Sequence, residues 1–517
     1  MTVVLVNPNL VVQRNDPFTT GIVYMPISLA YVAASLRKNG FEVKVIDAYG
    51  ENPQRASFYG RFTVFGLDEQ DILKRIPHDA VAIFVYANQL TNHISTIAII
   101  QAVKKFCPHI PLIVLENTQA VTAYALRFVA QEFYRAGADY ILTGEGEERG
   151  LEVVCSLIGQ GATPLSMMEG LGSPEFYNPP RKKIDHLDEL PFPAWDLFPV
   201  DNYWGLRFAH GPQTTQRYLP LLTSRGCPYP CKFCVVPETN QKTWRARSAP
   251  NVVDEMEYFS KKFGVVEFHI EDLDPTISDE RTREICQEII RRNLKLIWKI
   301  AAGTKVETIR DEETIDLMAQ AGCRYISISP ETGSARVLKL MDKPFNLEHA
   351  VKLVKRMHRV GIRSQACFVL GYPGETQEDL KMTKDLVGRL TKEGVDEIAL
   401  FIMTPVPGSA IFEQLHGYQS LSELNFTPTW RKDYESLNRF RFKLYARFLL
   451  WKLIYHPLKI FVQPFNFVKR YFETKMEMVP YRAMMLVWWR WRNHHPRAKT
   501  EFVPLAPTAV TIKESHR

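Results

Sequence analysis

Residues 222–234 read Leu-Thr-Ser-Arg-Gly-Cys-Pro-Tyr-Pro-Cys-Lys-Phe-Cys, and the rest of the chain is organised around this stretch. It holds three of the eight cysteines, Cys227, Cys231 and Cys234, in a C-x3-C-x2-C spacing. Thiolates are soft ligands that suit iron, so three of them on one short loop can bind three irons of a four-iron four-sulfur (4Fe-4S) cluster. No fourth cysteine lies nearby, which leaves one iron with an open coordination position and indicates a catalytic cluster rather than an electron carrier.

Two other interpretations of the three cysteines stay open on the residues alone. A structural zinc site needs four protein ligands, often in C-x2-C pairs, and a second pair is missing. Three unrelated thiols would not need the tightly shaped loop that Gly226, Pro228 and Pro230 indicate. The ligand spacing therefore favours the iron–sulfur interpretation.

With Phe233 as its aromatic residue, the loop resembles the C-x3-C-x-(aromatic)-C signature of the radical S-adenosylmethionine (SAM) enzymes. The resemblance implies that SAM chelates the open iron through its amino and carboxylate groups. An electron from the cluster, supplied by a donor of flavodoxin or ferredoxin type, then cleaves SAM to methionine and a 5′-deoxyadenosyl radical. No side chain is assigned a catalytic role. The resemblance also implies SAM contacts at five residues, namely Phe233, Glu331, Ser334, Gly371 and Glu375.

Composition limits the class of protein. A chain of 517 residues is expected to contain roughly three domains, and 46% hydrophobic with 23% charged residues is typical of globular chains. The sequence from Met1 reads directly into a strand, so no signal peptide is expected. The five remaining cysteines are scattered, which favours core thiols in a reducing cytoplasm.

Residues 1–160 alternate apolar strands with helices. The pattern predicts strands over 3–7, 43–48, 80–86, 110–115 and 139–143, and helices over 27–39, 94–106 and 122–136. Continuous apolar strands separated by helices predict a buried parallel sheet in a doubly wound α/β domain. Ligands of such domains bind beyond the carboxyl ends of the strands.

Four segments in residues 1–160 resemble the cobalamin-binding domain that precedes the radical core in one large branch of the superfamily. They are Asn7-Pro8, Pro26-Ile-Ser-Leu-Ala30, Val45-Ile-Asp47 and Gly144-Glu-Gly-Glu147. The resemblance implies cobalamin contacts at polar residues beyond strand ends, namely Asn88, Gln89, Thr91, Thr118, Gln119, Gly144 and Glu145. No Asp-x-His-x-x-Gly stretch is present, so no histidine is expected to bind cobalt from below. The alternative is a vestigial or structural domain in which these residues cap helices.

A connector and a second alternating region follow. Residues 161–215 are rich in Pro, Gly and charge and predict an extended linker. Residues 216–410 predict six strand–helix units, with strands over 221–223, 266–271, 295–301, 325–329, 364–370 and 397–403. Six such units indicate a partial (β/α)6 barrel with its site at the carboxyl ends of the strands. Asp272 and Asp274 follow the second of these strands, where a solvated acidic loop is expected rather than a metal pair.

Residues 411–517 differ from the rest of the chain in charge and aromatic content. Residues 437–499 contain 14 Lys and Arg but 2 Asp and Glu, a net charge of +12, interleaved with Trp, Phe and Tyr. A basic, aromatic helical region predicts a peripheral position on an anionic membrane surface of the cytoplasm. The alternatives are a helical cap over the barrel mouth and a nucleic-acid surface. No nucleic-acid-binding module is recognisable, so no nucleic-acid partner is expected.

The combined prediction is a cobalamin-dependent radical SAM enzyme. The resemblance implies methylation of an unactivated carbon, with one SAM starting the reaction and a second SAM renewing the methyl group on cobalamin. The aromatic tail suggests an apolar substrate such as a tetrapyrrole or an isoprenoid lipid. Oxidative ring closure, as in the anaerobic magnesium-protoporphyrin ester cyclase of chlorophyll synthesis, is one alternative. A non-catalytic cobalamin or redox sensor is another.

Overall fold

Two six-stranded sheets organise the chain. The computed structural model describes residues 1–343 and 345–493, without the side chain of residue 306. The first part of the chain contains β1 (Thr2–Asn7), β2 (Leu10–Gln13), α1 (Ile27–Lys38), β3 (Glu42–Asp47), β4 (Ala56–Tyr59), β5 (Phe62–Phe65), α2 (Glu69–Leu73), β6 (Ala80–Ala87), α3 (His93–Phe106), β7 (Leu112–Glu116), α4 (Ala130–Ala136), β8 (Tyr140–Leu142), α5 (Gly146–Leu157) and β9 (Leu171–Gly172).

The first sheet has the strand order β3-β1-β6-β7-β8-β9. Its first five strands are parallel, and β9 adds an antiparallel edge. Buried residues of α1 and α5 cover one face, and those of α2, α3 and α4 cover the other. The prediction of a doubly wound α/β fold is confirmed.

Two local features differ from the sequence pattern. β2, β5 and β4 form a small antiparallel sheet that was not predicted, because four-residue strands are too short to show a period. The helix predicted over 122–136 is regular only in α4. The chain before α4 is held irregular, because the Glu116 carboxylate accepts the Leu126 amide at 2.8 Å and the Pro407 carbonyl accepts the Ala125 amide at 3.1 Å.

The second sheet is parallel and has the order β10-β13-β14-β15-β16-β17. It confirms the partial barrel, although its first strand precedes the predicted position by a few residues. This part contains α6 (Val200–Leu206), β10 (Tyr218–Leu221), β11 (Ser224–Gly226), α7 (Val236–Thr239), β12 (Trp244–Ala246), α8 (Ala249–Phe263), β13 (Glu267–Ile270), α9 (Asp279–Arg291), β14 (Ile297–Thr304), α10 (Glu312–Gln320), β15 (Cys323–Glu331), α11 (Ala335–Leu340), α12 (Leu347–Arg359), β16 (Arg363–Leu370), α13 (Gln377–Lys392) and β17 (Glu397–Ile402).

The carboxyl-terminal helices pack along the open side of the barrel. They are α14 (Tyr434–Tyr455), α15 (Pro457–Phe461), α16 (Gln463–Lys469) and α17 (Lys475–Arg492). On α14, the Tyr445 hydroxyl accepts the Leu400 amide of edge strand β17 at 3.0 Å. On α17, Tyr481 and Trp489 pack on Phe208, which precedes β10. These two helices therefore bridge the unpaired edges of the barrel. In the part of the chain that the structure describes, none of the helices combines the length and apolar character needed to cross a bilayer.

Candidate active site

The three cysteines lie in a loop held between two short strands. β11 and β12 pair antiparallel, and the connection between them carries Cys227, Cys231 and Cys234. Gly226 ends β11 with a φ of +80°, and a Cβ on it would lie 2.0 Å from the carbonyl oxygen of Thr243. Only glycine fits immediately before the first cysteine, because a side chain there would collide with backbone.

A buried carboxylate fixes the base of this loop. Asp272, the second residue after β13, accepts the Thr223 amide at 2.7 Å and the Ser224 hydroxyl at 2.5 Å. Asp274, two residues later, accepts the Thr304 hydroxyl at 2.6 Å. The expectation of a solvated acidic loop is wrong, because both aspartates are buried and their carboxylates are satisfied by neighbouring hydroxyl groups.

Ion pairs join the loop to the first sheet. Arg225 donates to Glu147 at 2.6 Å, and its guanidinium lies 5.2 Å from the centre of the Tyr31 ring. Arg245 on β12 donates to Glu145 at 2.6 Å. Both carboxylates stand at the start of α5, and burial strengthens such charge-assisted bonds. The position of the cysteine loop therefore depends on the amino-terminal sheet.

The three thiols are partly buried and free. Burial raises the pKa of Cys227 to about 12 and also raises the pKa of Cys231 and of Cys234. Iron binding must therefore displace a proton from each thiol. Within residues 1–343 and 345–493, no three His, Cys, Asp or Glu side chains are arranged to hold a single metal ion. A 4Fe-4S cluster makes a different demand, because each thiolate binds its own iron.

One cavity of about 1440 Å³ connects the cysteine loop with both sheets. All three cysteines line it, together with residues at the carboxyl ends of the first sheet. Inward-facing barrel residues such as Ala301, Ser327 and Cys367 line its other side. The cavity has the size of a site for large organic ligands.

Comparison with known proteins decides the chemistry of the cysteine loop. Residues 221–387 match the family model of the radical SAM superfamily. The chain carries a radical SAM domain. This match confirms the prediction of a radical SAM enzyme, and such a domain holds a 4Fe-4S cluster and SAM.

Similarity extends beyond the radical SAM domain. Cytidylyl-2-hydroxyethylphosphonate methyltransferase from Streptomyces wedmorensis is 29% identical over 474 residues, which cover 83% of this chain and 85% of the relative. An anaerobic magnesium-protoporphyrin IX monomethyl ester cyclase from Rubrivivax gelatinosus is 29% identical over 287 residues, or 54% of this chain and 49% of the relative. The solved structure of the radical SAM methyltransferase TsrM from Kitasatospora setae, with cobalamin and a 4Fe-4S cluster bound, has a TM-score of 0.60 at 18% identity and covers 81% of this chain and 76% of that one.

Two of the five residues expected to contact SAM line the cavity of the radical SAM domain, namely Phe233 and Glu331. Glu331 ends β15 with a φ of +62° and accepts the Lys343 ammonium at 2.5 Å. The Lys343 nitrogen also lies 5.8 Å from the centre of the Phe233 ring. Lys343 was not predicted as a site residue. It lies 12 residues after Glu331, and nothing in the sequence indicates that the two side chains meet.

The other three SAM candidates lie behind the cavity wall. The Ser334 hydroxyl donates to Asp379 at 2.6 Å and caps α11. Glu375 accepts the Gly371 amide at 2.6 Å, and burial raises the pKa of Glu375 to about 7. The Gly371 carbonyl accepts from Arg431 at 2.9 Å. These contacts shape the ends of β15 and β16 in the radical SAM domain.

Four of the polar residues predicted beyond the first sheet line the same cavity, namely Asn88, Gln89, Thr91 and Gln119. Asn88 is tied to the end of β1, because its amide donates to Asn7 at 3.0 Å. Gln119 donates through Nε2 to Thr118, while its Oε1 is buried and has no hydrogen-bond partner among the described residues. A buried hydrogen-bond acceptor without a partner, at a cavity wall, suits a ligand that carries N–H donors.

The remaining three polar residues lie in the contact between the two sheets. Thr118, Gly144 and Glu145 line a small separate crevice. The Thr118 carbonyl accepts the Asn240 side chain at 2.8 Å. The Gly144 amide donates to the Glu116 carboxylate at 2.8 Å. The Thr118–Asn240 bond and the Glu145–Arg245 pair hold the amino-terminal sheet against the radical SAM domain, whereas the Gly144–Glu116 bond stays within the amino-terminal part.

Two further pairs in the cavity were not predicted. His210 and Glu271 share a 2.6 Å hydrogen bond, and the His210 ring packs on Tyr24 with 4.4 Å between ring centres. The Lys305 ammonium lies 3.9 Å from the centre of the Tyr229 ring. Each pair joins segments far apart in the chain, so sequence spacing gives no signal for it.

Proposed function

We propose that this chain is a cobalamin-dependent radical SAM methyltransferase that acts on carbon. The observation that carries the proposal is the shared cavity, into which both the three cysteines and the strand ends of the first sheet open. A low-potential electron donor of flavodoxin or ferredoxin type is part of the proposal.

The residues present fit each cofactor. Cys227, Cys231 and Cys234 would hold the cluster, and Phe233 and Glu331 would border SAM. The unpartnered Oε1 of Gln119 would accept a hydrogen bond from an amide at the corrin edge, with Asn88, Gln89 and Thr91 on the same wall. When bound, the cluster and SAM supply a hydrogen-abstracting radical and cobalamin supplies the methyl group.

The chain contributes positioning and exclusion of water. The Arg225–Glu147 and Arg245–Glu145 pairs set the distance between the cysteine loop and the first sheet. Helix α17 closes the side of the barrel with buried Tyr481 and Trp489. A closed wall of this kind protects a reactive substrate from solvent.

The activity test uses SAM labelled in its methyl group with the anaerobically reconstituted full chain, a reductant and cell extract. We expect formation of 5′-deoxyadenosine together with label on an organic product. A product that gains a ring and no label would indicate the oxidative cyclase alternative. Absence of both SAM cleavage and labelled product, in a preparation that holds its cluster, would favour a sensor.

Cobalamin binding gives the first prediction. Gln119→Leu is expected to weaken hydroxocobalamin binding by about 10-fold, because the apolar side chain cannot accept the hydrogen bond offered to Oε1. Equilibrium dialysis of the full chain measures the affinity. Gln101→Leu, at an exposed glutamine of α3, is the matched control and should bind as the parent does. Equal affinity of the two variants would remove Gln119 from the cobalamin site.

A peripheral membrane position and an apolar-bodied substrate belong to the same proposal. Exposed apolar side chains are concentrated on α14 to α16, with Leu458, Phe465 and Val468 exposed by 77%, 69% and 81%. The basic residues Lys443, Arg447 and Lys469 are exposed on the same helices. Apolar side chains flanked by bases suit an anionic lipid surface.

The basic charge available to a membrane is smaller than the sequence suggested. Lys452 donates to the Asp396 carbonyl at 2.6 Å, and Lys459 pairs with the Asp396 carboxylate at 2.7 Å. Arg441 and Arg482 are also buried. Membrane attachment would therefore depend on the apolar face more than on charge.

The second prediction tests this face. The triple variant Leu458→Glu, Phe465→Glu, Val468→Glu is expected to lose about 100-fold in affinity for vesicles of phosphatidylglycerol and phosphatidylcholine, since each apolar side chain contributes about 1 kcal/mol. Co-sedimentation of the full chain measures it. Met167→Glu, which replaces an exposed apolar residue outside these helices, is the control. Unchanged binding of the triple variant, or no binding by the parent chain, would contradict a membrane position.

A further inference from the structure

Helix α17 places two cations on the wall of the cavity. Lys475 and Arg482 both line it, and they lie seven residues apart, which is two turns along one helix face. Burial lowers the pKa of Lys475, and the charge of Arg482 makes a smaller contribution in the same direction. Two like charges held together at a cavity wall raise the local positive potential.

Arg482 is buried without a carboxylate partner. Its side chain is 3% exposed, and one Nη donates to the Phe18 carbonyl at 2.6 Å. Its Nε has no hydrogen-bond partner, and the guanidinium has no ion pair, in the part of the chain that the structure describes. The nearby Asp16 carboxylate is occupied instead by the Thr19 and Thr427 hydroxyls. Burial of an unpaired guanidinium is unfavourable unless an anion joins it.

Lys475, inside the barrel, also has no carboxylate paired with it among the described residues. Its ammonium donates to the Ala301 carbonyl of β14 at 2.9 Å. The two carboxylates that face it have other partners, since Glu271 binds His210 and Glu397 accepts the Tyr325 hydroxyl. Lys475 thus keeps donor capacity toward the cavity, because an ammonium has three hydrogens to donate.

We propose that the substrate carries an anionic group, a carboxylate or a phosphate-type group, which Arg482 and Lys475 bind at the α17 wall. The inference rests on the proposed function, because it assigns a substrate to the same cavity. The apolar body of the substrate would lie against Met476 and Val479, which line the cavity from the same helix. The substrate class becomes an amphiphilic anion rather than a wholly apolar molecule.

The test measures binding without turnover. The full chain is loaded with its cluster and hydroxocobalamin and is kept oxidised with saturating SAM, so that the SAM carboxylate site is filled. Equilibrium dialysis then compares three probes of one shape, namely naphthoate, naphthylphosphonate and neutral naphthamide. We expect the parent chain to bind at least one anion about 10-fold more tightly than naphthamide. The tighter of the two anions tells a carboxylate substrate from a phosphate-type substrate.

Charge-removing variants assign the preference to α17. Arg482→Gln and Lys475→Gln should each abolish most of the anion preference, and Arg482→Lys should retain part of it. Arg61→Gln is the matched control, because Arg61 lines the same cavity but pairs with Glu423 at 3.4 Å. Because the binding test involves no turnover, a failure of SAM cleavage leaves the anion preference measurable. A failure of this inference removes the preference and leaves SAM cleavage intact.

Three results would overturn the inference. One is equal binding of naphthamide and both anions by the parent chain, or no anion binding at millimolar concentration. Another is an unchanged preference for the anions over naphthamide in Lys475→Gln. This variant keeps the test valid if Arg482→Gln fails to fold. The third is a loss of hydroxocobalamin affinity in Arg482→Gln, which would assign the anion to the phosphate of cobalamin.

Discussion

Replacement of Cys227, Cys231 or Cys234 with alanine is expected to abolish the brown iron–sulfur absorbance and all cleavage of SAM. Three thiolates bind three of the four irons and leave one iron open for SAM. Two thiolates cannot hold the cluster in a competent state. The measurement is the absorbance spectrum and the 5′-deoxyadenosine formed after anaerobic reconstitution. The expected change in 5′-deoxyadenosine formation is complete loss.

Cys155→Ala provides the control for this prediction. Cys155 is a partly buried thiol on α5, outside the cavity lining, so its removal should leave both readouts unchanged. A triple alanine variant that still formed 5′-deoxyadenosine would contradict the role given to the cysteine loop.

Removal of residues 434–517 is expected to prevent folding. Nine side chains from this region are buried in the main core, namely Tyr434, Leu437, Leu444, Phe448, Phe472, Met478, Tyr481, Leu486 and Trp489. Burial of each stabilises the folded state by about 1.5 kcal/mol or more, so their joint loss is comparable with the whole stability of a domain. We expect an insoluble protein, or one without a cooperative thermal transition in calorimetry.

A truncation after Asn493 is the control, because it keeps all nine of these side chains. A soluble 1–433 fragment with a cooperative transition and a bound cluster would contradict this account of the carboxyl-terminal helices. The basic, aromatic composition predicted a region that lies on a membrane surface. Because side chains of this region are buried in the core, we expect its removal to prevent folding.

The parts of the fold that the sequence predicted are those with strong local signals. The strand predicted over 80–86 is β6, because an uninterrupted apolar run has few alternatives to a buried parallel strand. The cysteine loop was recognisable because Cys227, Cys231 and Cys234 lie within eight residues of each other. The order of strands and helices predicted a site at the carboxyl ends of each sheet, and the structure joins the two sites in one cavity.

The features that escaped prediction depend on partners far away in the chain. Arg482 and Lys475 looked like surface residues of a basic helix, and only the position of α17 across the barrel buries them. The Lys343–Glu331 pair depends on how the chain returns after β15. Thr118 was placed among the cobalamin candidates because it follows a strand end, whereas its carbonyl binds Asn240 of the radical SAM domain. Sequence spacing identifies strand ends but not which side of a strand end faces the cavity.

The most direct test of a shared site for cluster and cobalamin is electron paramagnetic resonance of the full chain loaded with both. We expect reduction of the cluster to broaden or split the cob(II)alamin signal, because one cavity would hold both centres. We also expect no axial nitrogen splitting, since the one histidine among the described residues lining the cavity, His210, is held by Glu271. A sharp cob(II)alamin signal that does not change on cluster reduction, or a chain that binds no cobalamin, would contradict a shared site.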